Sequence, residues 1–232
     1  MSKIMVLVRA SSGPAAEAVR ESVMARIEAQ ARTYALAHPE VTGLVLSHVV
    51  KPLAEDDPLV SLVAVWGEQV DRDDLLAHLV PSDLRAESAL TATAARCSEI
   101  VFRRVRGFAG EGSPWTIKLA GTALRRDDFE PDAFFEYWTN VHAPIGGHLP
   151  GIGGYVVTRA LDDGLGEESA DAIIEQWYPD EQSFNDAQST EMAQAAWNDV
   201  GNYAKTVGTA FWLMTESVVV EPPATGPGTL EV

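Results

Sequence analysis

His142 closes the run Tyr137-Trp-Thr-Asn-Val-His-Ala-Pro144, directly ahead of two glycines, Gly146 and Gly147. An imidazole exchanges protons near neutral pH, so a histidine in an enclosed place is a candidate general acid or base. The residues before it, Phe134, Phe135, Tyr137, Trp138 and Val141, give a helix an aromatic face that must be buried. An imidazole leaving the last turn of such a helix can point into a partly dry space, or it can simply satisfy the helix's last carbonyls. His148 lies just beyond and is either a second proton-transfer group or an exposed loop histidine. Gly146 and Gly147 allow the intervening loop to approach a ligand or to adopt positive φ.

In the second half Lys118, Arg159 and Glu175 fall inside apolar strand patterns, where charge is unfavourable unless paired or functional. If they face a pocket, Lys118 or Arg159 could hold a substrate carboxylate or phenolate, and Glu175 could orient a histidine. Each could equally sit at an edge or in a structural ion pair. Tyr137, Trp138, Tyr155, Trp177, Tyr178 and Trp197 are candidates to line an aromatic-binding pocket, although any one of them is adequately explained as core.

From Asp127 to Tyr155 the chain reads Asp-Asp-Phe-Glu-Pro-Asp-Ala-Phe-Phe-Glu-Tyr-Trp-Thr-Asn-Val-His-Ala-Pro-Ile, then Leu-Pro-Gly-Ile-Gly-Gly-Tyr. This stretch resembles the EthD family of dimeric α+β barrel proteins, and the resemblance extends through the second half to about Val220. It implies a ferredoxin-like unit with its pocket near His142. Lactone isomerases, polyketide-tailoring decarboxylases and proteins of unassigned role belong to that family, so the resemblance speaks to fold more than to reaction.

The chain must also hold these residues in place. Laying residue n beside residue n+111 sets Pro39 to His48 over Pro150 to Arg159 and Trp66 over Trp177; it also sets Val6 over Ile117, Val8 over Leu119 and Ile100 over Phe211. This many matches in one register argue for two copies of one βαββαβ unit. The first copy is expected to have strands at 4–9, 42–50, 59–66 and 99–104, with helices at 15–37 and, broken by Pro81, over most of 73–95. The second is expected to have strands at 115–120, 155–160, 170–178 and 208–219, with helices at 131–141 and 181–203. Domain boundaries follow: 1–107 a degenerate first unit, 108–114 a linker, 115–220 the unit with the pocket, and 221–232 a flexible tail rich in proline and glycine. Because the strands are apolar on both faces, the two sheets are expected to pack against each other as an intrachain dimeric α+β barrel, an α+β fold whose lumen is the natural pocket. His38, in the first copy's imperfect version of the histidine motif, is the candidate for a second pocket.

A net charge of −17 in 232 residues argues against nucleic acid and anionic membrane surfaces as partners. One cysteine excludes an internal disulfide and a cysteine-based zinc cluster, and the histidine spacing matches no metal motif. No dinucleotide, Walker or nucleophile-elbow motif is present. The expectation is a cytoplasmic, cofactor-free lyase with no bound metal, acting on a small apolar aromatic or polyketide-like substrate. His142 would be the acid/base and decarboxylation of an aromatic or phenolic acid the reaction. The alternatives are an isomerase, cyclase or dehydratase of a lactone or polyketide-like substrate, and a non-catalytic binding protein for an apolar ligand. Pairing of whole chains into a homodimer stays open.

Overall fold

A computed structural model describes residues 2–10, 15–53, 58–103, 107–110, 112–161, 170–207 and 209–223, with 15–19, 87 and 88 described by backbone alone. The first half runs β1 (Lys3–Ala10), α1 (Ala15–Ala37), β2 (Gly43–Pro52), β3 (Leu59–Trp66), α2 (Arg72–Leu79), α3 (Ser82–Ser88) and β4 (Leu90–Arg103). The second runs β5 (Ile117–Ala123), α4 (Pro131–Tyr137), a π-helical turn (Trp138–His142), α5 (Ala143–Gly146), β6 (Gly154–Ala160), β7 (Ala172–Tyr178), α6 (Glu181–Gln188), α7 (Glu191–Tyr203) and β8 (Phe211–Val220).

All eight strands pair antiparallel in one closed barrel, in the order β1-β3-β2-β8-β5-β7-β6-β4. Each half contributes four neighbouring strands in the ferredoxin-like order, and two seams, β2 with β8 and β4 with β6, join the halves edge to edge. Closure leaves no strand edge unpaired. Alternation then sends successive side chains to opposite faces: Ile4, Val6 and Val8 pack under α1 to α3, while Met5 and Leu7 face the lumen with Leu62, Ala64 and Trp212. In the second half Leu119, Val157 and Ile174 pack under Phe134, Trp138 and Tyr203. This explains strands apolar on both faces.

Three details differ from the sequence expectations. Only 72–79 and 82–88 are helical in the stretch expected to be so as far as residue 95. Ala89, with φ of 48°, ends α3, and Leu90-Thr-Ala-Thr-Ala-Ala alternates as the start of a long β4 that pairs β1 from end to end. The single helix expected over 181–203 breaks at Ser189 and Thr190, where Thr190 caps α7 by accepting from the Ala193 amide. The constant register of 111 holds for β2 with β6 and for β3 with β7, but not for β1 or β4. β3 pairs Trp66 with Lys3 of β1, and β7 pairs Trp177 with Lys118 of β5, so Lys3 and Lys118 correspond, four residues off that register. Val6 therefore matches Gly121 rather than Ile117. The same ladders match Cys97 with Met214, and hence Glu99 with Glu216.

The stretch expected to be a linker is packed against β8: the Ala109 amide donates to Glu216 Oε2 at 2.7 Å. Of the tail, residues 224–232 lie outside the described residues. Among the described residues no helix is long and apolar enough to cross a membrane.

Candidate active site

His142 is 5 % exposed and lies on the outer face of the second-half sheet, beneath the helices, rather than in the lumen. The helix carrying it packs its aromatic side down onto that face, so a residue on the same side enters the space between helix and sheet. Trp138–His142 forms a π-helical turn, a one-residue expansion of the helix frequently found at functional positions.

The imidazole is held by α7. His142 Nδ1 lies 3.0 Å from Asp199 Oδ2. A carboxylate only accepts, so Nδ1 carries the proton and donates, leaving the Nε2 lone pair free. Asp199 is itself fixed: its Oδ1 accepts from the Tyr137 hydroxyl at 2.8 Å and from Asn202 Nδ2 at 2.9 Å. Burial alone would raise the Asp199 carboxyl, but the hydrogen bonds from Asn202, Tyr137 and His142 outweigh it and hold the group below its ordinary value. His142 is pushed below its ordinary value by burial, against the opposing pull of Asp199. The pair is therefore a neutral imidazole on an ionised carboxylate at pH 7.

Tyr203 lies beside it, its ring centroid 5.0 Å from that of His142. Burial raises its phenol far above the ordinary range, and its hydroxyl makes no hydrogen bond to a described residue, so it is a neutral donor available to the cleft. The remaining walls include Leu119, Trp138, Ile174 and Phe211, with Gln176, Gln188, Thr122 and Thr209 as the other polar contributors. The cavity is small, about 60 Å³. Trp197 stands at its rim, 43 % exposed, with its indole donating to Gln188 Oε1 at 2.9 Å.

The other residues singled out from the sequence are dispersed. Trp138 lines the cleft and donates to the buried Tyr155 hydroxyl at 2.8 Å; Tyr137 acts on Asp199. His148 is exposed, its Nδ1 2.6 Å from the Pro144 carbonyl, because the expected loop is α5 and its turn carries residue 148 outward. Gly146 and Gly147 do not use positive φ; a Cβ on Gly147 would come 2.9 Å from the Ala143 carbonyl and 3.4 Å from the Tyr155 ring. Arg159 is at the surface, paired to Asp132 at 2.6 Å and lying over the Phe135 ring. Lys118, Glu175 and Trp177 are brought together, but in the lumen. In the first half, His38 presents Nδ1 to Glu40 at 2.9 Å and Nε2 to Asp74 at 3.6 Å, so both nitrogens face carboxylates.

Asp199 was missed by sequence reasoning, and a signal for it existed. It stands three residues after Ala196 and four before Tyr203, on the buried stripe of an amphipathic helix where a carboxylate needs a partner.

The architecture is that of the dimeric α+β barrel proteins. Residues 126–206 match the EthD domain family; the first half of the chain is not covered by the match. Among solved structures the chain is similar to an anthrone oxidase-like protein, at 11% identity over 97% of this chain and 96% of that one, with a TM-score of 0.57. It is similar too to a protein provisionally named a monooxygenase from Fusobacterium nucleatum, at 10% identity over 96% of each chain, with a TM-score of 0.58. An EthD family protein from Bacillus halodurans C-125 is 26% identical over 44% of this chain and 94% of its own, with a TM-score of 0.34. No curated protein sequence matches the chain.

Proposed function

We propose that the protein is an enzyme of proton transfer, in which neutral His142, oriented by Asp199, removes a proton from an uncharged aromatic or polyketide-like substrate. The observation that carries this reading is the buried Asp199–His142 pair at an apolar cleft, in which His142 Nε2 has no hydrogen-bond partner among the described residues. Tyr203 supplies a hydrogen bond to the oxygen that gains charge, and Gln176 and Gln188 offer neutral polar contacts. Only one end of a substrate fits in about 60 Å³; the rest lies against Trp197 at the rim.

The lining contains no lysine or arginine among the described residues, since Lys118 is in the lumen and Arg159 at the surface. Decarboxylation, the reaction expected from sequence, would leave a carboxylate in an apolar cleft with no cation to hold it. Isomerisation, cyclisation or dehydration needs only the base and the neutral donor, and we rank these first. The names of the structural neighbours suggest a further fate for the same carbanion, capture by dioxygen. We also read the two halves as copies of one unit, on the support of their repeated strand order and matched ladders.

Purified protein, beside His142→Ala and Tyr203→Phe, would be screened by mass spectrometry against lactones, anthrones and phenolic acids, with and without dioxygen. An isobaric or dehydrated product that disappears in His142→Ala is the expected result. Loss of carbon dioxide would restore the decarboxylase, gain of oxygen would select the oxygenase, and tight binding without turnover would leave a carrier.

A further inference from the structure

A cavity larger than the His142 cleft lies at one end of the barrel lumen, about 410 Å³, within the range of small-molecule sites. Eight-stranded barrels have interiors just wide enough for packed side chains or for one small ligand. Here the lumen leaves open space of the second kind.

Its polar lining repeats across the two halves. Lys3 Nζ lies 2.7 Å from Glu99 Oε1, 3.0 Å from Thr158 Oγ1 and 4.8 Å from the centre of the Trp66 ring; Trp66 Nε1 donates to Glu99 Oε2 at 3.2 Å. Lys118 Nζ lies 2.7 Å from Glu216 Oε1, 2.5 Å from Ser47 Oγ and 5.4 Å from the centre of the Trp177 ring; Trp177 Nε1 donates to Glu216 Oε2 at 2.8 Å. One position breaks the repeat. Glu175 bridges both ammoniums, at 2.8 Å from Lys118 and 3.4 Å from Lys3, whereas its counterpart in the ladders is Ala64, whose methyl leaves space.

The result is an imbalance of charge and of hydrogen bonding. Three carboxylates, Glu99, Glu175 and Glu216, face two ammoniums, and Glu221 adds a fourth carboxylate at the mouth. Each ammonium already directs three N–H groups at protein oxygens, and both indoles are used, whereas each carboxylate can accept more bonds than it receives. Among the described residues, what the cavity lacks is a donor with one positive charge. Val45, Val101, Val156 and Phe108 complete an apolar wall.

We propose that the lumen is a second ligand site, distinct from the His142 cleft, that takes a small organic ammonium on an apolar body. The ammonium completes the carboxylates and the body occupies the space beside Ala64.

Calorimetry on the intact protein would compare phenethylamine, phenethyl alcohol and phenylpropionate, which share a ring and differ in the charge of the head group. The amine is expected to bind at least about tenfold more tightly than either, the difference of one charged contact. Glu99→Gln, which balances the charges, should weaken the amine by about tenfold or more, and Ala64→Leu, which fills the space, should abolish binding. His142→Ala should leave it unchanged. Equal binding of amine and alcohol, no binding of either, or amine affinity indifferent to Ala64→Leu in a cooperatively folded variant would overturn the proposal. The alcohol comparison needs no variant and stands even if one misfolds.

Discussion

At the scale of single residues, the protein sets a base and a donor apart by environment. Burial keeps His142 neutral and Tyr203 protonated, while Asp199 stays ionised through three hydrogen bonds. Because the folded His142 pKa is lowered, the base form predominates at neutral pH. The acidic limb of kcat/KM should therefore fall with a midpoint below 6.5, the ordinary value for histidine. His142→Ala should reduce kcat/KM by about 10²–10⁴-fold, the usual contribution of one positioned proton-transfer group. Asp199→Asn keeps the shape but frees the tautomer, and should lower kcat more than it raises KM. His142 was legible because a histidine after an aromatic helix is uncommon chemistry in plain view. Asp199 was less so, since its partner lies 57 residues away and only the fold joins them.

At the scale of elements, the π-helical turn decides where His142 points. Removing one residue from it, with the exposed Asn140 as the choice, would restore an α-helical turn and take His142 out of its present placement against Asp199. The expected outcome is a folded protein, cooperative by circular dichroism, with turnover reduced as far as in His142→Ala. Retained turnover would show that the turn does not position the imidazole. Strand and helix types followed from periodicity at most places, because β1, β3, α1 and β7 have patterns that tertiary context does not override. The π turn, the break at Thr190 and the early start of β4 were not legible: each depends on a cap or on a pairing partner elsewhere in the chain. Alternating alanine and threonine in 90–95 suits a helix or a strand, and β1 settles it.

At the scale of the whole molecule, one closed barrel separates two chemical spaces, a cleft outside it and a charged lumen within. The sequence marked Lys118 and Glu175 as charges inside strands and Trp177 as a candidate pocket-lining aromatic, and the fold brings these three together in the lumen. It did not reveal that the histidine lies on the other face of the sheet, because facing direction is fixed only when the barrel closes. The lumen also predicts acid sensitivity. Burial opposes the charge of Glu175, but Lys118 and Lys3 overcome it and hold its carboxyl at about 2, below the ordinary 4.5. A lowered folded pKa gives stability that is present above the ordinary value and is lost as pH falls from 4.5 toward 2. Glu175→Gln should flatten that limb of an acid-unfolding curve and, by leaving two buried ammoniums with one partner fewer, destabilise the protein by about 3–5 kcal/mol at neutral pH. Denaturant titrations of both proteins from pH 2 to 7 would check both effects.

The measurement that bears most directly on the central claim needs no substrate. Nitrogen and carbon NMR of histidine-labelled protein, with the His142 signals identified by their loss in His142→Ala, reads both the charge and the tautomer of that ring. The expected result is a neutral imidazole at pH 7, protonated on Nδ1, titrating below 6.5. A ring protonated on Nε2, or one still charged at neutral pH, would contradict the role of His142 as the base held by Asp199.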